Sequence, residues 1–134
     1  GMKINWLDRR IAAPGPYLCL CLSEDEFNAA LKHMGITPIS GWIKSPQADA
    51  TAHHLRNPEK GLAVVVCLNG WENRNPIEVA GLLVHEAVHA WQEWCDYYGE
   101  VNPGREQEAY GVQAVSQELM AEFSRRMAKQ EVKG

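Results

Sequence analysis

His85-Glu86-Ala87-Val88-His89 sets two imidazoles four positions apart, with a carboxylate directly after the first. In a helix, at about 100° per residue, the two histidines come about 40° apart and one turn up, so both rings can converge on one ion. Glu86 projects beside them, where it can reach a water on the metal without being forced to bind the metal. Leu82, Leu83, Val84, Val88 and Trp91 surround the motif. Two histidines and a carboxylate set among such neighbours call for a chemical reason, since a solvated helix face would not be flanked this way.

Tetrahedral catalytic zinc takes three protein ligands and keeps a fourth position for water. The third must come from elsewhere in the chain, and Arg105-Glu106-Gln107-Glu108-Ala109-Tyr110 opens a later helix with two carboxylates. Glu108 shares its stripe with Val112, Val115 and Leu119, the face expected to pack on the motif helix. Glu106 shares its stripe with Tyr110, Gln113 and Gln117, and suits a favourable charge at a helix N-terminus. Glu108 is therefore the expected third ligand, with Glu106 its competitor.

These residues resemble the HExxH metallopeptidases of the zincin class, in particular the gluzincin branch. The resemblance rests on His85, Glu86 and His89, and on Glu108-Ala109, which lies 19 positions after His89 and looks like the start of that branch's third-ligand helix. It spans roughly residues 62 to 125. On size and on the Glu-Ala-Tyr helix start, the chain is also similar to minimal zincin-like proteins of phage and prophage genomes. The resemblance implies a Zn2+ cofactor, peptide or protein substrates, and an edge strand just before the motif helix along which substrate lies as an added strand. Leu62–Leu68 holds that place in the sequence, so Val64, Val65 and Val66 are candidate substrate contacts through their backbone; an interior strand is the equal alternative.

In such a site the metal lowers the pKa of its bound water from about 15.7 toward about 7 and polarises the scissile carbonyl. Glu86 is then the general base, passing the water's proton to the leaving amine. No residue tied to the motif suggests itself for the oxyanion; His53, His54, Tyr97 and Tyr98 are candidates, of which His53 and Tyr97 are also carried as substrate contacts. His53 and His54, being adjacent, must face opposite sides of any strand that holds them. A rival reading makes the protein a non-catalytic structural or interaction module of phage or prophage, in which a metal only staples two helices.

The elements that must position this chemistry are readable from caps and periodicity. Ser23 and Glu26 form a capping-box pair, predicting a helix over 24–34 that Gly35 and Pro38 end. Tyr17–Leu22 is a short apolar run; Ile39–Lys44, Thr51–Leu55 and the Val-rich Leu62–Leu68 read as strands. Asn75-Pro76 supplies a cap and a first-turn proline for a central helix over 77–97, and Arg105–Lys129 reads as the last helix. The expected fold is α+β: an N-terminal helix, a short and mainly antiparallel sheet, the central HExxH helix and a C-terminal third-ligand helix.

A length of 134 residues suits a single domain, taken as 2–134 because Gly1 before Met2 reads as a tag remnant. The composition, 46% hydrophobic and 22% charged, is that of a folded globular chain, and a net charge of -4 with scattered basic residues argues against nucleic acid as a partner. No apolar stretch reaches the roughly 18 to 20 residues of a membrane span and no signal pattern opens the chain, so a cytoplasmic protein without a membrane partner is expected. Cys19, Cys21, Cys67 and Cys95 form no CxxC pair and read as reduced thiols packed as small hydrophobes. Trp71, Trp91 and Trp94 are assigned to core packing around the motif helix.

Overall fold

The computed structural model describes residues 2–7, 17–38, 41–43 and 49–133, the side chains of 132 and 133 excepted. Its elements run β1 (Tyr17–Cys21), α1 (Glu24–His33), β2 (Ala50–Asn57), β3 (Gly61–Leu68), a single 3₁₀ turn (Trp71–Asn73), α2 (Pro76–Tyr98) and α3 (Arg105–Lys133). The architecture is α+β, with three helices on a small sheet of order β1-β3-β2. None of the described helices is long and apolar enough to cross a membrane.

The sheet is mixed, which corrects the expectation of a mainly antiparallel one. β1 lies parallel to β3: after α1 the chain enters the sheet as β2, running opposite to β1, and the turn that follows reverses it again into β3. β2 and β3 form an antiparallel hairpin across Pro58-Glu59-Lys60. Asn57 Oδ1 accepts the backbone N–H groups of Glu59 at 2.8 Å and Lys60 at 2.9 Å, and Gly61 takes φ of 92°, a conformation costly to a residue with a Cβ. The strand expected over 39–44 is not one at Gly41–Ile43; Ile39, Ser40 and Lys44 lie outside the described residues.

β3 is the central strand, so of the two alternatives for Leu62–Leu68 the interior one holds and the edge one does not. Its side chains are buried on both faces: Leu62, Val64, Val66 and Leu68 pack toward α2 and α3, while Val65 and Cys67 pack toward α1 with Phe27 and Leu31. An unbroken apolar run is what a strand covered on both sides requires, and each buried Val or Leu contributes roughly 1.5–3 kcal/mol.

The helices begin and end where their caps dictate. Ser23 Oγ accepts from Glu26 N in α1. In α2, Asn75 and Glu78 make a reciprocal capping box, Pro76 fills the first position, and Gly99 in the left-handed conformation terminates the helix. α3 then returns along α2. The two come so close at Gly111 that a Cβ there would sit 2.3 Å from the Trp91 ring. Phe123 meets Trp71 edge-on at 5.8 Å, holding the far end of α3 near the start of α2. Further on, Arg126 binds Glu26 at 2.5 Å and Glu122 accepts from Asn5 at 3.0 Å, so α3 is also tied to α1 and to the N-terminal segment.

Candidate metal centre

The centre is built on the middle of α2. Val79, Leu83, Ala87 and Ala90 turn into the core beneath the sheet and fix the rotation of the helix. That rotation leaves His85 and His89 exposed and Glu86 only 3% exposed. The motif is therefore half in and half out of the protein, rather than wholly enclosed as its apolar neighbours suggested. Val84, flanking it, is also exposed.

One ligand atom each from His85, Glu86 and His89 lie within 4.8 Å of one another. The two imidazole rings stand 5.0 Å apart with planes at 68°. His89 Nδ1 lies 3.2 Å from Gln92 Oε1, which can only accept, so the proton sits on Nδ1 and Nε2 keeps its lone pair for a cation. An outer partner of this kind orients a metal-binding histidine, and its one-turn spacing from His89 was available in the sequence. Glu86 Oε2 is buried without a hydrogen-bond donor among the described residues. A buried carboxylate oxygen in that condition is costly unless a water or a cation satisfies it, and the two histidines beside it would supply the site for one.

Glu93 continues the stripe of His85 and His89 and pairs at 3.4 Å with His54 Nδ1 on β2. It is no ligand: eight residues of helix separate it from His85 by about 12 Å along the axis, beyond any single ion's reach. Glu106 and Glu108 are both exposed at the start of α3, and neither joins the group of three. Glu108 lies instead toward Cys95, whose thiol is held above its ordinary value by burial first and then by Glu100, Glu108 and Asp96. Cys95 follows His89 by six positions, about 120° away around the helix, which explains why Glu108 is not brought to the histidines.

The substrate contacts expected from sequence are placed elsewhere, each for a structural reason. Val64, Val65 and Val66 lie in the central strand, with backbone paired on both sides and side chains fully buried, so no added strand can reach them. His53 turns to the α1 face, where its Nε2 donates to the Trp42 carbonyl at 2.7 Å and its ring packs 4.5 Å from Phe27. Tyr97 sits at the hairpin end of the sheet, its ring 5.3 Å from the Arg56 guanidinium carbon, two turns beyond His89. His54 faces α2, as the alternation of adjacent histidines demanded of one of the pair. Trp91 and Trp94 stack at 5.0 Å in a buried cluster, as expected for packing residues. No family model matches this chain, and no match emerges among curated proteins or solved structures.

Proposed function

We propose that the protein is a zinc-dependent peptide or amide hydrolase in which His85 and His89 hold the metal and Glu86 moves the protons. The observation that carries this reading is the convergence of three donor atoms within 4.8 Å, one of them on a buried carboxylate whose Oε2 has no partner among the described residues. Zinc, when bound, supplies Lewis acidity toward a water and a scissile carbonyl. Glu86 accepts the proton of the attacking water and delivers it to the leaving nitrogen, and its position beside rather than between the histidines suits that transfer. The apolar packing under Ala87 and Ala90 holds the carboxylate still, so little reorganisation accompanies the step.

Glu108 is our proposed third ligand. It reaches the histidines only if the first turns of α3, exposed from Arg105 to Tyr110, move along α2 from their place beside Cys95, because re-aiming the carboxylate alone does not span that distance. The strand that receives substrate is β2: it has one neighbour in the sheet among the described residues, and its His54 meets the motif helix. An extended peptide paired to that edge would lie beside His89. The staple reading has weaker support, because all three grouped donors come from α2 and a purely structural site has no use for Glu86.

The test is Glu86→Gln in zinc-loaded protein, assayed on a mixed peptide library with product detection by mass spectrometry. Zinc content should be unchanged and cleavage should fall by about 10²–10⁴, the usual contribution of a positioned general base. Equal cleavage by wild type and variant, or none by either, would contradict the proposal.

A further inference from the structure

We propose that His54, held by Glu93, is a substrate-positioning residue that binds the peptide backbone about two residues from the scissile bond; this rests on the hydrolase reading and extends it. Alternation along β2 puts His54 opposite Val64, hence on the face of the sheet covered by α2, while His53 opposite Val65 serves the other face. The His54 imidazole is half exposed and contributes to no core cluster. Its Nδ1 meets Glu93 Oε1 at 3.4 Å. The carboxylate can only accept, so Nδ1 is the donor and Nε2 is turned away from Glu93.

Glu93 is what places this imidazole. It stands one helical turn beyond His89 on the same stripe, about 6 Å along the axis. An extended peptide covers about 3.3 Å per residue, so a chain held at the histidines and running beside β2 meets His54 about two residues from the metal. A carboxylate orienting a histidine whose second nitrogen points away from it is a device for fixed recognition, and among the described residues no other group engages that nitrogen. Because the contact is made away from the reacting bond, its effect belongs to binding rather than to the chemical step.

The experiment measures calorimetric affinities of zinc-loaded wild type, His54→Ala, His54→Gln and Glu93→Gln for two kinds of probe. Acetohydroxamate reports the metal site alone; tripeptide hydroxamates extended in either direction report the groove as well. Acetohydroxamate should bind all four proteins alike. The tripeptide probe extended toward His54 should bind His54→Ala about tenfold more weakly than wild type, with His54→Gln restoring part of the loss and Glu93→Gln falling between. Equal binding of both tripeptide probes by wild type and His54→Ala would overturn the role of His54 while leaving the metal site intact. Failure of acetohydroxamate to bind zinc-loaded wild type would overturn the hydrolase reading and this inference with it.

Discussion

Glu86 and Glu122 are both buried carboxylates, and the protein treats them differently. Glu122, on α3, accepts from the side chains of Asn5 and Arg125, so its burial is matched by donors. Glu86 is as deeply buried, but its Oε2 has none. Removing the first should lose hydrogen bonds to a charged acceptor, whereas removing the second should relieve an unmet polar group. Urea unfolding in the presence of chelator should therefore find Glu122→Ala less stable by about 1–3 kcal/mol, and Glu86→Met as stable as wild type or more so by about 1 kcal/mol, although unable to hydrolyse peptide. A loss of several kcal/mol in Glu86→Met would mean that the carboxylate is structural. The spacing of His85, Glu86 and His89 made this trio legible from sequence, because helix geometry alone brings i, i+1 and i+4 together. His54 and Glu93 were not legible as a pair, since they meet only once the order of strands and the rotation of α2 are known.

Local signals were strong for the helices and weaker for the sheet. Asn75 and Pro76 spelled the start of α2, because capping is settled within a few residues; the Glu78 half of the capping box and the Gly99 cap at its end are read from the structure. Asn75→Ala should lower stability by about 1 kcal/mol in thermal or denaturant unfolding, and an unchanged midpoint would show that tertiary packing alone sets the start of the helix. The sheet depends on which strands find each other. Asn57-Pro58-Glu59-Lys60-Gly61 carried the turn chemistry of a hairpin, and the uninterrupted apolar run of β3 carried the mark of a strand covered on both faces; joined, they put β3 in the centre and leave β2 at the edge. The contact between α2 and α3 was hidden because a glycine in a helix advertises nothing about its partner. With a Cβ at Gly111 only 2.3 Å from the Trp91 ring, Gly111→Ala must push the helices apart. That strain should outweigh the better helix propensity of alanine, about 1 kcal/mol, for a net loss of about 1–2 kcal/mol by denaturant unfolding. A more stable variant would contradict the close crossing.

Across the whole molecule, the sheet divides labour between its faces. The α1 side is a packing face in which Cys19, Cys21 and Cys67 lie buried among Phe27, Leu31 and Val65; the α2 side carries the proposed metal centre. The Cys19 thiol is pushed far above its ordinary value of 9.0 by its contact with Cys21 and by burial. For Cys21 the contact with Cys19 works in the lowering direction, but the contact with Cys67 and burial prevail and the thiol is again raised. Such groups stay protonated in the folded state while the unfolded chain releases its protons above about pH 9, so ν of the unfolded state falls below that of the native state. Stability should hold below pH 9 and decline above it by up to about 1.4 kcal/mol per pH unit for each such thiol, and a flat profile from pH 8 to pH 10 would refute the burial of this cluster. The decisive property of the molecule is nevertheless on the other face. Metal content of protein purified without chelator, measured by elemental analysis beside His85→Ala, His89→Ala and Glu108→Ala, tests it most directly. The account predicts about one zinc per chain in the wild type, lost from both histidine variants and weakened in Glu108→Ala, as three protein ligands at a catalytic zinc require. Wild-type protein that holds no zinc and takes up none when it is added would contradict the metal centre and the hydrolase built on it.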